Sequence, residues 1–125
     1  MLVDTSVLVD FLRRRDREAT LYSALVERGD YALCISLITH TELYAGASVW
    51  KRAKARKELD ALLAGLQILP LSLEISEQAG RVRATHRLSP PDAIIAATAL
   101  EHNLSVVTFD VADFKRVKGL KLFSV

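Results

Sequence analysis

Short hydrophobic runs alternate along the chain with longer stretches in which hydrophobic positions recur every three or four residues. The short runs predict five strands, with the sequences MLVD, YALCIS, QILPLS, LSVVTF and KLFSV. Pro70 in the third run favours an edge strand, because proline has no amide proton to donate to a neighbouring strand. The alternation predicts an α/β fold in three α/β/α layers, with a mostly parallel central sheet.

Helical spacing of hydrophobic positions marks the segments between the strands. The first predicted helix carries Val7, Leu8, Phe11 and Leu12, and the others span Thr20–Arg28, Leu37 to about Gly65 with a bend at Gly46, Leu73–Arg87 and Pro91–His102. No linker, repeat or low-complexity segment divides these elements. With 125 residues, we expect one domain over residues 1–125.

Composition narrows the class of protein without identifying it. Half of the residues are hydrophobic, mean hydropathy is +0.20, and the formal net charge is +2. Charged residues interrupt every apolar stretch before it reaches the ~20 residues of a membrane span. The apolar start lacks a basic region and runs directly into Asp4. We therefore expect a protein of the cytoplasm with no membrane segment. The single cysteine, Cys34, is predicted to be buried and free.

Four acids lie where a hydrophobic run ends or a helix begins: Asp4, Glu42, Asp92 and Asp110. Carboxylates in apolar surroundings repel one another unless a cation holds them together. Asp4 and Asp110 follow predicted strands, and ligand sites of open α/β sheets form beyond the carboxyl ends of the strands. Mg²⁺ and Mn²⁺ prefer oxygen ligands, so the pattern points to metal-assisted phosphate chemistry.

Two of these acids also have a purely structural interpretation. Asp4 is placed to cap the helix that follows it. Asp92 comes after Ser89 and Pro90-Pro91, in the order of an N-cap residue, first-turn prolines and an acid that favours the helix dipole. Both interpretations stay open at the level of sequence.

The other two acids are less easily explained by local structure. Glu42 falls on an otherwise apolar helix face, where a lone buried glutamate is costly, and this favours a functional role. Asp110 shares a turn with Asp113, and turns are rich in aspartate for local hydrogen-bonding reasons. One of the pair is expected to be a ligand, so Asp113 remains a candidate. Three neighbouring hydroxyls are expected either to orient a carboxylate or a metal-bound water, or to act only as solvated caps: Thr5, Ser6 and Thr108.

Four segments carry a family resemblance: Met1–Leu12 with DTSVLVDFL, Ile35–Gly46 with ISLITHTELYAG, Pro90–Leu100 with PPDAIIAATAL, and Val106–Phe114 with VVTFDVADF. They resemble the PIN domain. Over essentially the whole chain the sequence resembles the VapC-type toxins, which are small PIN-domain ribonucleases of prokaryotic toxin–antitoxin pairs. One departure is the stretch RATHRLSPPDA before Asp92, which is short and has no glycine turn.

The resemblance implies an activity, a cofactor and partners. It implies an endoribonuclease that binds Mg²⁺ or Mn²⁺ through Asp4, Glu42, Asp92 and Asp110, with Asp110 matching the family pattern more closely than Asp113. The implied partners are an RNA substrate, a second copy in a homodimer, and a small antitoxin of VapB type that lays an apolar helix in a groove and reaches a basic side chain toward the carboxylates.

Two alternatives come from other classes of protein. A haloacid-dehalogenase-like phosphotransferase needs a second aspartate two residues after the first, and that position is Ser6. A non-catalytic PIN-like module would only bind an antitoxin or RNA. Zinc is disfavoured because none of the three histidines pairs with another histidine or the cysteine at a ligand spacing.

Basic and aromatic residues bear on the partners. Lysines and arginines cluster at residues 13–17, 51–57, 81–87 and 115–118. They are expected to lie on solvated faces or to hold an RNA backbone beside the acids. Tyr44 and Trp50 are expected in the core or at a dimer interface. Because aromatic residues make up only 6% of the chain, extensive base stacking is not expected.

Overall fold

A computed structural model describes residues 1–123 and contains one parallel sheet. Its strands are β1 (Leu2–Val3), β2 (Cys34–Ser36), β3 (Gln67–Leu69), β4 (Ser105–Val107) and β5 (Lys121–Leu122), in the order β3-β2-β1-β4-β5. Every pairing is parallel, and β3 lies at an edge, as Pro70 predicted. The strands are shorter than the hydrophobic runs. The end of the fifth run, residues 124–125, lies outside the described residues.

Eight α-helices connect these strands within residues 1–123. They are α1 (Thr5–Arg13), α2 (Leu21–Arg28), α3 (Leu37–Tyr44), α4 (Ala47–Lys51), α5 (Ala53–Ala64), α6 (Leu73–His86), α7 (Pro90–Glu101) and α8 (Val111–Phe114), with a short 3₁₀ turn at Arg17–Ala19. The prediction of one bent helix from Leu37 to Gly65 was wrong. The backbone is extended at Gly46 and again at Arg52, so the segment forms three helices.

The three-layer prediction is confirmed by the alternation of side chains along the strands. Leu2, Cys34 and Val106 point to the face that α6 and α7 cover, and each next residue points to the opposite face. There Val3, Ile35 and Val107 pack with residues of α1, α2, α3 and α5. Cys34 is free and buried, as its sequence context predicted.

The turn between α6 and α7 is built without glycine. Arg87 ends α6 in the left-handed conformation (φ 58°), where glycine is usual, and its amide donates to the Arg83 carbonyl. The Arg83 guanidinium donates to the Leu88 carbonyl at 2.6 Å. This turn places Ser89 as the N-cap of α7 and fixes where that helix begins.

Trp50 is 65% exposed, which excludes the core, one of the two placements predicted for it. Its indole N–H donates to the Tyr44 carbonyl at 2.7 Å, and the Arg56 guanidinium lies 5.0 Å from the Trp50 ring and 5.1 Å from the Tyr44 ring. Tyr44 is half-buried. The pair forms an ordered aromatic surface on α3 and α4.

None of the helices described between residues 1 and 123 is both long enough and apolar enough to cross a membrane.

Candidate active site

The strand order has its switch point between β1 and β4. From β1 the chain builds outward to β2 and β3, then returns to the other side of β1 to form β4 and β5. Such a switch point is where open α/β sheets bind ligands. Asp4 follows β1 and Thr108 follows β4. The Asp4 amide donates to the Val107 carbonyl at 2.9 Å, which continues the β1–β4 ladder and fixes Asp4 at this edge.

Asp4 does not cap α1 through its side chain. It occupies the N-cap position with an extended backbone, but its carboxylate accepts no hydrogen bond from the helix amides. Instead, Oδ2 accepts from the Ser6 hydroxyl at 2.8 Å and from the Thr108 hydroxyl at 2.7 Å. Asp4 is only 2% exposed. Its carboxylate is thus held in place by hydroxyls rather than used to stabilise a helix end.

The two hydroxyls that hold Asp4 also hold the loop after β4. The Phe109 amide donates to Ser6 Oγ at 3.4 Å, and the Asp110 amide donates to Thr108 Oγ1 at 2.9 Å. Each hydroxyl therefore donates to the Asp4 carboxylate and accepts from the loop. This links the position of Asp110 to that of Asp4.

Glu42 reaches the site from α3. It is exposed, so the expectation of a buried glutamate on an apolar face was wrong. The Thr5 hydroxyl donates to Glu42 Oε1 at 2.7 Å and lies 2.9 Å from the hydroxyl of Thr39, which is fully buried. Because a hydroxyl carries one proton, we assign the Thr5 proton to the carboxylate and the Thr39 proton to Thr5.

Thr39 was missed by sequence reasoning. It lies one turn before Glu42, and because four of the eight residues of α3 are threonine, histidine or glutamate, the sequence held no signal that singled it out.

Asp92 lies in the first turn of α7, and its amide donates to Ser89 Oγ at 3.3 Å. Ser89 is therefore the N-cap residue and Asp92 an acid of the first turn, as the structural interpretation predicted. Its carboxyl also faces the other acids. Burial and the charge of Asp4 raise the pKa of Asp92 above its usual value, with smaller contributions from Asp110 and Glu42, and the hydrogen bond with Ser89 partly offsets them. Asp4, Asp110 and Glu42 are thus close enough for their charges to act on Asp92.

Asp113 lies in a different environment. Its carboxylate accepts from the Arg116 guanidinium at 3.1 Å on an exposed surface. Asp110 is also exposed, but it lies beside Thr108 at the edge that holds Asp4. The structure thus engages Asp113 with an arginine and leaves Asp110 with the other acids.

The donor set suits a hard divalent cation. Carboxylate and hydroxyl oxygens are the ligands that Mg²⁺ and Mn²⁺ prefer. Within residues 1–123, no three acidic, histidine or cysteine side chains are arranged to hold a metal ion directly. Mg²⁺ commonly keeps several waters and binds through one or two carboxylates, which this wider arrangement of acids permits.

Some cations of the predicted basic clusters are engaged within the protein, and others are exposed to solvent. Arg17 is half-buried, donates to the carbonyls of Phe11 and Leu12, and pairs with Glu58 at 2.7 Å. Arg13 ends α1, about 13 Å along the helix axis from Asp4, and Arg14 and Arg15 follow it. Exposed cations nearer to α7 and α8 in the chain are Arg81, Arg87, Lys115 and Lys118.

A groove of about 190 Å³ lies between α1, α3, α4 and α5, and Glu42 is one of its lining residues. Its apolar lining includes Val9, Leu12, Leu43, Val49 and Leu59. Arg13 and Glu58 supply opposite charges on its walls. The groove therefore connects an apolar surface with one carboxylate of the site.

Fold and site together define a class: an α/β/α protein with a hydroxyl-lined acidic site at the switch point of a parallel sheet. The model of the PIN domain matches residues 1–120, and the chain belongs to the PIN-domain family. Ribonuclease VapC10 of Mycobacterium tuberculosis is 35% identical over 130 residues, covering 97% of this chain and 90% of the relative. Ribonuclease VapC1 of Rickettsia felis is 32% identical over 100 residues, covering 73% and 75%.

Solved structures agree with the fold. A chain of a toxin–antitoxin complex from Klebsiella pneumoniae superposes with a TM-score of 0.77 at 32% identity, covering 99% of this chain and 98% of that one. A chain of VapBC2 from Rickettsia felis, bound to a promoter DNA fragment, gives a TM-score of 0.82 at 23% identity, covering 98% and 96%. The predicted family is therefore confirmed.

Proposed function

We propose that this protein is a metal-dependent endoribonuclease and the toxin of a VapBC-type toxin–antitoxin pair. The observation that carries the proposal is the cluster of four acids at the switch point of a PIN fold. None of the four forms an ion pair with a lysine, arginine or histidine within residues 1–123. Relatives covering most of the chain are named ribonucleases, which supports the same activity.

In this proposal the acids Asp4, Glu42, Asp92 and Asp110 hold Mg²⁺ or Mn²⁺. A divalent ion bound there supplies positive charge to the phosphodiester and lowers the pKa of water. Ser6 and Thr108 fix the Asp4 carboxylate, and Thr5 fixes that of Glu42. Burial and the charges of Asp4, Asp110 and Glu42 raise the pKa of Asp92, and a cation bound among these acids relieves their repulsion.

The antitoxin is proposed to occupy the groove between α1 and α5. Its apolar lining accepts one face of a helix. Because Glu42 belongs both to the groove and to the acid cluster, a basic side chain on that helix reaches the carboxylates and competes with the cation. A small VapB-type protein is the expected partner, in keeping with the toxin–antitoxin complex at 32% identity.

We also propose that residues 1–125 act as one domain, pair into a homodimer and work in the cytoplasm, where RNA is available. The exposed Trp50, ordered by Tyr44 and Arg56, supplies apolar surface for an interface. Light scattering at tens of micromolar (roughly ten times a typical micromolar dimer constant) tests the dimer. A monomer under those conditions contradicts it.

Incubation of the purified chain with labelled RNA, in Mn²⁺, in Mg²⁺ and in EDTA, tests the activity. The proposal predicts internal cleavage with either ion and none in EDTA. RNA binding without cleavage under every condition would instead favour a non-catalytic PIN-like module. Addition of a peptide with an apolar helix and a C-terminal arginine should inhibit cleavage if the groove is the antitoxin site.

A further inference from the structure

An exposed aromatic side chain lies inside the loop that carries the candidate ligands. Phe109 is 52% exposed and stands between Thr108, which donates to Asp4, and Asp110. A single exposed hydrophobic residue is common on protein surfaces and by itself needs no explanation. The position of Phe109 beside the acid site, however, suggests a reason for its exposure.

The other aromatic rings of the chain are either paired or buried. Ring pairs join Phe11 with Tyr22, Tyr31 with Phe123, and Tyr44 with Trp50, and Phe114 is fully buried. Within residues 1–123 no ring pair and no cation–ring contact includes Phe109. Among these aromatic residues, Phe109 alone has a ring that is neither paired nor buried.

The backbone on both sides of this ring is anchored. The Phe109 amide donates to Ser6 Oγ, and the next amide, that of Asp110, donates to Thr108 Oγ1. Because both acceptors also donate to Asp4, the backbone that carries the ring is fixed relative to the carboxylates. A contact made from an ordered backbone costs less conformational entropy on binding than one made from a mobile loop.

We propose that Phe109 stacks on a nucleobase of the RNA adjacent to the phosphodiester that the acid site cleaves. This inference rests on the proposed function. Stacking on an aromatic ring is open to every base, because each base has a π-face, and it requires a base that is not already stacked in a duplex. The contact therefore selects single-stranded RNA with little preference for sequence.

A comparison of three variants tests the proposal. Phe109→Leu keeps an apolar side chain and removes the ring, Phe109→Tyr keeps the ring, and Val111→Ala shortens another exposed apolar side chain just beyond Asp110. The substrate is a single-stranded oligoribonucleotide that the wild type cuts at one position. Phe109→Leu should raise the half-saturating RNA concentration about 5- to 150-fold with little change in the rate at saturation. Phe109→Tyr and Val111→Ala should match the wild type.

Abasic substrates show whether the lost contact is one with a base. The same oligonucleotide is made with a single abasic residue at each position flanking the cut. At one of these positions the abasic residue should raise the half-saturating RNA concentration of the wild type by the same factor as Phe109→Leu does. The same abasic residue should cause no further rise in Phe109→Leu. If the effects of the abasic residue and of Phe109→Leu multiply at every position, or if Phe109→Leu binds RNA as the wild type does, the proposal is overturned.

A binding measurement supplies a readout that does not depend on cleavage. The oligonucleotide carries the fluorescent base 2-aminopurine at the sensitive position. EDTA is added to suppress cleavage, and the ionic strength is kept low because this favours RNA binding through phosphate contacts. Wild type and Phe109→Tyr should quench the fluorescence, and Phe109→Leu should not. A wild type that cleaves no RNA removes the proposed function. In that case 2-aminopurine is placed at each position of the oligonucleotide in turn, and the quenching by wild type and by Phe109→Leu still decides this inference. Equal quenching by wild type and Phe109→Leu overturns the inference. So does a Phe109→Leu variant whose oligomeric state changes in light scattering while its RNA binding does not.

Discussion

The acids of the β1–β4 edge and the acids of the outer helices are held in opposite ways. On the helices and adjacent loops, five acids each pair with an arginine: Asp10, Asp30, Glu58, Asp60 and Asp113. At the edge, Asp4 and Glu42 accept hydrogen bonds from neutral hydroxyls. The pKa values follow this difference, because the Arg17 hydrogen bond lowers the pKa of Glu58, whereas burial and neighbouring acids raise that of Asp92.

This difference shows where the protein leaves negative charge uncompensated. The pairing of a surface acid with an arginine contributes little to stability, and the arginine already offsets the charge of the acid. A cluster of acids with only hydroxyl partners carries repulsion that an added cation relieves. Variants of both groups of acids test whether that distinction separates functional acids from structural ones.

The largest effect is expected from Asp4→Asn. Asparagine is nearly isosteric and removes the charge of the most buried carboxylate of the site. We expect RNA cleavage to fall by more than about 100-fold, beyond the usual effect of altering a group that only supports a metal ligand. Asp10→Asn, which removes an acid paired with Arg14, should retain activity within about threefold, because exposed ion pairs contribute little. Equal losses in the two variants would mean that the two environments are not functionally distinct.

A second comparison distinguishes Asp110 from Asp113. Asp110→Asn should reduce cleavage by at least about 10-fold, and Asp113→Asn should leave it nearly unchanged, since Arg116 already compensates Asp113. Initial rates under the same Mn²⁺ concentration measure both. The reverse order of effects would assign the ligand role to Asp113.

Thr108→Val tests the hydroxyl support of Asp4. The change removes a donor to Asp4 and the acceptor of the Asp110 amide while keeping a similar shape. We expect a loss of about 10- to 100-fold in activity and of about 1.5–3 kcal/mol in the free energy of unfolding. Thr85→Val is the matched control, because its exposed hydroxyl bonds only to the Arg81 carbonyl of the same helix. Its stability and rate should stay close to those of the wild type.

The smallest effect concerns pH in the metal-free protein. The pKa of Asp92 is raised in the folded state, so its contribution to stability is fully present below the usual value of 3.8 and is lost as pH rises through the raised pKa. Glu58 should behave oppositely, because its lowered pKa gives stability above the usual value of 4.5 that is lost as pH falls.

Urea unfolding in EDTA over a range of pH measures both contributions. The unfolding free energy of the wild type relative to Asp92→Asn should decrease as pH rises, and that relative to Glu58→Gln should increase. Slopes of the same sign would show that the two acids do not differ in the way described.

Most of the fold could be predicted from the sequence because strands and helices differ in hydrophobic period. The break at Arg52 could not, since arginine is a good helix former and the extended backbone there arises in the folded chain. The sequence left the core and an exposed interface open for Trp50, and the contact that decides between them was hidden. Its indole N–H is satisfied by the Tyr44 carbonyl, a contact across the turn between α3 and α4 that no periodicity encodes.

The candidate site was predictable in part for a similar reason. Asp4 stands at the end of an apolar run, and strand ends meet at one edge of a parallel sheet. The structure then excluded side-chain capping for Asp4 and engaged Asp113 with Arg116. In the link from Thr39 through Thr5 to Glu42, Thr5 is 34 residues from Thr39 and 37 residues from Glu42 in the sequence, so only the folded chain reveals it.

The most direct test of the central claim is the thermal melting of wild type and Asp4→Asn with Mn²⁺ and with EDTA. If the four acids share an uncompensated site, Mn²⁺ at 100 times its Kd adds about 2.7 kcal/mol to the stability of the wild type. This corresponds to an increase in Tm on the order of 10 °C. Asp4→Asn should gain far less from Mn²⁺, and in EDTA it should be at least as stable as the wild type. A wild-type Tm that does not respond to Mn²⁺ or Mg²⁺ would contradict the claim.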